Sequence, residues 1–408
     1  MKLIVVGAGL AGLVAAHEVQ KAGHEVVVLE ARDRVGGRVL TVREGLRDGQ
    51  YADVGAEMIY HGQTCILDLC AAHGLELSTE LSLGTDVPAI VFRGRRLGDD
   101  ASREITEELR AGVRETPPGH YETVAQWLRR AGLSRDAETL LTAIAQGTPA
   151  APLRLADAQE LNVELSWGEG YRKIQGGNDL LPRALAEGVD VRLGELVRLV
   201  GHAPGGVTVE TERDTFRADR ALVTVPGPLV QELGFDPPLP AGTVRALLAM
   251  RYGNGTRLIA QYAERDAVRA AIGSGCFTDR MPGYVMEQTA RQGGAHVVVS
   301  GLAAGDVEPA LMTDEQVLDA FDETISSVVG SPVRRTFGHV VNWTKDPLTR
   351  AVVRAPMGDQ RETVLPLIRA PIGGRVFFAG EHTDDRVGPG GMEGAIRSAY
   401  RVAEEVLA

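Results

Sequence analysis

The chain has 408 residues, of which 44% are hydrophobic and 24% charged, and its net charge is −12. That length exceeds what one compact core usually fills, so two intertwined domains with interior room for a large ligand are expected. The acidic balance argues against nucleic acid or an anionic membrane as partner, because either would call for a basic patch.

Lys2-Leu3-Ile4-Val5-Val6 reads as a buried strand running straight into Gly7-Ala8-Gly9-Leu10-Ala11-Gly12, which opens a helix. The helix ends at Lys21-Ala22-Gly23-His24, and a second apolar strand, Glu25 to Leu29, finishes on Glu30. Strand, glycine turn, helix, strand and acid in this order form a dinucleotide-binding unit. Gly7 serves the tight turn, Gly9 lets backbone approach a pyrophosphate, and Gly12 allows close packing of helix on strand. The helix N-terminus then faces the phosphates. Glu30 is placed to accept both ribose hydroxyls of an adenosine, and its charge disfavours the 2′-phosphate of NADP. A first strand beginning at residue 2 leads us to expect no leader and a cytoplasmic protein. No run approaches the ~18 apolar residues of a membrane span.

After Glu30 come Ala31-Arg32-Asp33-Arg34-Val35-Gly36-Gly37-Arg38. The two glycines let backbone reach a second stretch of phosphate, and Arg38 can add charge-assisted hydrogen bonds. This run resembles the extended fingerprint of the flavin-containing amine oxidases, a group that includes monoamine and polyamine oxidases. The resemblance continues through Asp53-Val54-Gly55-Ala56-Glu57-Met58, similar to the family's segment passing the flavin ring, and Gln63 a few residues on. Cys65, Cys70 and Cys276 are odd in number, lack metal spacing and read as buried structural thiols, so no metal is expected. Tyr171 to Gly177 resembles the family's return into the cofactor domain, and Val189 to Pro226 its strand-rich adenine-side segment, with the backbone of Val197 meeting the adenine. At the C-terminal end, a strand Arg375 to Ala379 leads into Gly380-Glu381-His382-Thr383, and Gly390-Gly391-Met392-Glu393-Gly394-Ala395 opens a last helix running to Leu407.

The resemblance implies an α/β fold: a Rossmann-like FAD-binding domain of residues 1–75, 168–242 and 370–408, with an inserted α+β substrate-binding domain of residues 76–167 and 243–369. It implies FAD held by Gly7, Gly9, Ala11, Gly12, Glu30, Ala31, Arg32, Gly37, Arg38, Gly55, Ala56, Glu57, Met58, Val197, Trp343, Gly380, Glu381, Gly391, Met392 and Ala395. Glu381 would accept from ribitol, and the last helix would turn its positive end toward reduced flavin. Met58, Tyr60, Gly170, Val353 and Gly391 would line the substrate chamber. The implied reaction is hydride transfer from the carbon bearing nitrogen of an amine, or of a larger nitrogen-containing metabolite, to flavin N5. It would give an imine, with dioxygen as acceptor and hydrogen peroxide as product.

Four departures stand out. The family's lysine near flavin N5 falls on Arg257, in a chain where only Lys2, Lys21, Lys173 and Lys345 are lysine and 39 of the 43 basic residues are arginine. Arginine is planar, bulkier and always charged, so Arg257 is the candidate catalytic position, with slower or differently guided flavin reoxidation as the expectation. The two tyrosines that sandwich an amine in monoamine oxidases are missing: Gly391 stands in one slot, and the other falls near Val352 or Val353. No cysteine follows position 276, so FAD should be bound non-covalently. Glu57-Met58 also replaces the arginine that L-amino-acid oxidases commonly place just after Gly-Ala, which disfavours a simple amino acid unless another arginine substitutes. A dehydrogenase, desaturase or oxidative cyclase, and a flavin-binding partner without turnover, remain as alternatives. Oligomeric state is open.

Overall fold

The computed structural model describes residues 1–79, 89–120, 122–147, 150–161, 170–273, 275–355, 360–385 and 390–408. The boundary expected at residue 168 lies outside them. The strand Lys2–Val6 is the middle of a five-stranded parallel sheet, in the order Val376–Phe378, Arg220–Val223, Lys2–Val6, Glu25–Glu30, Asp190–Leu193. Strand side chains alternate between faces. Leu3 and Val5 therefore enter one core, while Ile4 and Val6 enter another. A sheet covered on both faces needs an unbroken apolar run, and these strands supply it.

The first core is closed by the helices Leu10–Lys21 and Gly391–Leu407, through Leu13, Val14, Ile396, Ala399 and Val402. The second is closed by the helices Ala241–Ala249 and Gln360–Arg369, through Leu247, Leu365 and Ile368, and by a four-stranded sheet. That smaller sheet contains Thr215–Ala218, Gly206–Thr211, Val197–Ala203 and Gly234–Asp236. The strand-rich segment is thus divided between two sheets. Ala221, Leu222 and Val223 are buried on both faces and join the parallel sheet, whereas Gly206–Thr211 buries alternate residues and suits a sheet with one wet face.

A seven-stranded mixed sheet runs Arg335–Asn342, Gly255–Tyr262, Val297–Ala304, Tyr284–Glu287, Gly275–Thr278, Ala89–Phe92, Arg95–Arg96. Leu258, Ala260, Val285, Val297 and Val299 pack against the helix Asp314–Val329 through Val317, Phe321 and Ile325. That helix starts at a reciprocal cap between Thr313 and Gln316 and ends at Gly330 in the left-handed conformation. The opposite face of the sheet carries Arg257, Ser300 and Leu302, with Phe277, Tyr284 and Met286 on neighbouring strands, in cross-strand register. Helices Asp99–Glu115, Val124–Ala131 and Arg135–Gly147 close the edge near Ile90, Phe92 and Phe277, around the buried Trp127.

Candidate active site

A cavity of about 690 Å³ begins at the ends of the first two parallel strands and reaches the open face of the seven-stranded sheet. Its size is that of a ligand or cofactor site. At one end it is lined by Gly7, Gly9, Ala11, Glu30, Ala31, Arg32, Gly37, Arg38 and Val197. Gly55, Ala56, Glu57, Met58, Trp343, Gly380, Glu381, Gly391, Met392 and Ala395 follow along its walls. Arg257, Tyr60 and Val353 stand with them.

Two residues expected at the site do not line it. Gly12 sits behind the turn, where a methyl group would collide with the Gly7 carbonyl oxygen, so its part is helix-on-strand packing. Gly170 is buried just ahead of the strand Tyr171–Arg172. That strand pairs with Ile59–Tyr60 and so holds Tyr60 at the chamber, while Gly170 itself stays back.

The glycine turn has the form a cradle needs. Gly9 and Gly391 line the cavity, and a Cβ at either would meet no protein atom, only the cavity space. Glu30 is buried and accepts from the backbone N–H of Ala8 at 2.8 Å and of Arg32 at 2.9 Å, which fixes its carboxylate across the mouth of the turn. Arg32 reaches Asp346 at 2.6 Å and Thr349 at 3.0 Å. Arg38 Nη1 donates to Glu381 at 3.0 Å and to the Val352 carbonyl at 2.8 Å. Burial alone would raise the Glu381 carboxyl, but Arg38, His382 and Arg354 outweigh it and hold it below the ordinary carboxylate value. His382 is driven down to about 4 chiefly by burial, and neither ring nitrogen has a partner among the described residues. Trp343 Nε1 donates to the Val54 carbonyl at 3.0 Å, tying the aromatic to the segment that passes the cavity.

The last helix brings Gly391, Met392 and Ala395 to the wall, and its Glu393 accepts from the backbone N–H of Cys65 at 3.2 Å and of Ile66 at 3.0 Å. That carboxylate caps the start of the helix Thr64–Ala72. Burial raises Cys70 to about 11 and Cys276 to about 12, and none of the three cysteines lines the cavity.

At the far end stands a buried polar cluster that the sequence did not disclose. Glu57 pairs with both Arg257 and Lys173 and accepts from Gln288 at 2.5 Å. Ser300 accepts from Arg257 at 3.1 Å and from Gln288 at 2.6 Å, and Lys173 donates to Gln288 at 2.7 Å. Burial would raise the Glu57 carboxyl, yet the charges of Arg257 and then Lys173 prevail and keep it below its ordinary value. Around this cluster the wall is apolar and aromatic: Tyr60, Phe277, Tyr284, Met286 and Leu302, with Phe277 and Tyr284 centroids 4.6 Å apart. Aromatic groups are therefore present, supplied by strands, whereas Gly391 opens the last helix and Val353 lies in a bend. The one signal in the sequence was Lys173 itself, one of four lysines in a chain with 39 arginines.

The model of the flavin containing amine oxidoreductases matches residues 10–407. The chain belongs to this family. An L-amino-acid oxidase of Mus musculus is 28% identical over 99% of the chain and 70% of its own length. One from Siganus canaliculatus is 26% identical over 99% of the chain and 85% of its own length. Among solved structures, putrescine oxidase bound to putrescine and cyclohexylamine oxidase from Brevibacterium oxydans each superpose with a TM-score of 0.83 at 20% identity, covering 100% of this chain and 99% of theirs. These two share the fold. As a flavin amine oxidoreductase, the chain is an enzyme of α/β architecture, and no described helix is long and apolar enough to cross a membrane.

Proposed function

We propose that the enzyme binds FAD non-covalently and oxidises the C–N bond of an amine, or of a larger nitrogen-containing metabolite, to an imine, with dioxygen as acceptor and peroxide as product. The observation that carries this reading is one continuous cavity with a glycine-lined cradle at one end and an apolar, aromatic chamber at the other. Flavin, when bound, supplies the two-electron acceptor, and the protein supplies position and environment. In this reading Gly7, Gly9, Ala11, Gly37 and Arg38 hold the pyrophosphate, Glu30 the adenosine ribose, and Val197 the adenine. Gly55 to Met58, Trp343, Gly380, Glu381 and the start of the last helix flank the ring system.

Met58, Tyr60, Phe277, Tyr284 and Val353 exclude water from the substrate, which keeps its amine in the neutral form that hydride loss requires. Arg257 is held rigidly by Glu57 and Ser300 at the chamber wall. The cysteines lie away from the cavity, which supports a dissociable flavin. Anaerobic addition of amines and amino acids to the yellow protein should bleach it, and readmitted air should restore colour with peroxide released. Colour that never bleaches would overturn the reading. Bleaching without peroxide would move the enzyme to the dehydrogenases.

A further inference from the structure

Arg257 lies opposite Leu302 in the register of the seven-stranded sheet, and Met286 lies opposite Ser300, so these side chains share the cavity face. Among the described residues one carboxylate, Glu57, pairs directly with two cations, Arg257 and Lys173, and the buried Asp53 carboxyl acts on Lys173 through space. Among the described residues Arg257 makes its hydrogen bonds through Nη2, and neither the buried Nε nor Nη1 has a partner there. Burying a guanidinium with idle donors is costly unless an acceptor arrives. Arg257 faces the cavity where the neighbouring wall is Tyr60, Phe277, Tyr284 and Met286, none of which offers an anion.

We propose that Arg257 is a substrate-anchoring residue that takes a carboxylate, and that the substrate class is therefore amines carrying a carboxylate on an apolar or aromatic frame. The proposal rests on the amine-oxidising reading above. A guanidinium presents its N–H groups in a fork that matches a carboxylate, which an ammonium does not. The Arg257 charge also disfavours a protonated amine beside it, helping the neutral form. Lys173 acts as a positioning residue: by sharing Glu57 it stops that carboxylate from fully neutralising Arg257.

The test uses the yellow holoenzyme and two probes of equal shape, benzoate and benzamide, followed by the shift each produces in the flavin absorption band. Benzoate should bind tighter by on the order of tenfold or more, the worth of a charge-assisted pair. Arg257→Met should erase that preference, Arg257→Lys should keep part of it, and Lys173→Met should weaken benzoate while leaving benzamide unchanged. In turnover, Arg257→Met should raise KM for phenylalanine far more than for phenylethylamine. Equal binding of the two probes by the parent, or a preference that survives in Arg257→Met, overturns the proposal. Should phenylethylamine bleach the flavin while benzoate shows no advantage, the anion anchor falls and the amine-oxidising reading stands.

Discussion

Glu57→Gln is the most informative single change, because among the described residues Glu57 is the anion in direct contact with two buried cations. Its Oε2 receives Arg257, and its Oε1 receives Lys173 and Gln288. An amide keeps the volume but replaces one oxygen with an N–H₂ group. Whichever way it flips, one cation then faces a donor. Breaking a buried pair from one side costs about 3–5 kcal/mol, mostly the penalty of the charge left behind. Urea unfolding followed by far-ultraviolet circular dichroism and flavin fluorescence should show a loss of that order. With Lys173→Met already in place, the same change should cost visibly less, since one stranded cation has been removed. The pH dependence follows from the direction of the shift. The folded carboxyl lies below the ordinary 4.5, so its contribution is complete above 4.5 and is lost as pH falls through the lower folded value. Glu57→Gln should flatten that acid limb. A loss under about 1 kcal/mol, or the same loss with Lys173 absent, would refute the idea that charge pairing governs this cluster.

His382 supplies a second acid limb. Its folded value of about 4 lies below the unfolded 6.5, so the unfolded chain gains a proton first and stability falls from pH 6.5 toward 4, by up to roughly 3 kcal/mol. His382→Gln should lose that slope in urea titrations at several pH values, and an unchanged slope would exclude His382 as its source. Gly12→Ala places a methyl against the Gly7 carbonyl, with Thr224 and Val5 close behind, and should cost about 1–3 kcal/mol together with flavin occupancy, read from the ratio of visible to protein absorbance. Glu393→Ala strips the acceptor from the N–H groups of Cys65 and Ile66 and should lower stability by about 1–3 kcal/mol; a thermal midpoint equal to the parent's would show that water replaces it. Acid precipitation should leave the yellow colour in the supernatant, and colour retained in the pellet would establish a covalent link.

The cradle was legible because its determinants are local. Gly7, Gly9 and Gly12 act within one turn, and Glu30 follows at a distance set by one helix and one strand. The chamber was not. Arg257 and Glu57 are 200 residues apart and Gln288 and Glu57 are 231 apart, and they meet where the seven-stranded sheet presents Arg257 and Ser300 to the segment carrying Glu57. A one-residue change in that register would turn Arg257 away from the cavity, and nothing in the local sequence reports which face a strand of Thr256, Arg257 and Leu258 presents. For the same reason Phe277 and Tyr284 were invisible as chamber aromatics: their strand partners, not their neighbours, place them. Gly170 shows the reverse error, a residue expected at the wall that instead leads the strand positioning Tyr60.

The central sheet seats Lys2–Val6 between Glu25–Glu30 and the much later Arg220–Val223, and its edge is completed by Val376–Phe378. Helix Leu10–Lys21 finds its packing surface on Gly391–Leu407. During synthesis the opening glycine turn therefore leaves the ribosome with one neighbouring strand but neither the other nor its roof, and it waits for almost the entire polypeptide before it can close. Vitamin capture is in consequence a late event, after translation, and a growth shortage of riboflavin would leave finished but hollow molecules rather than stalled ones.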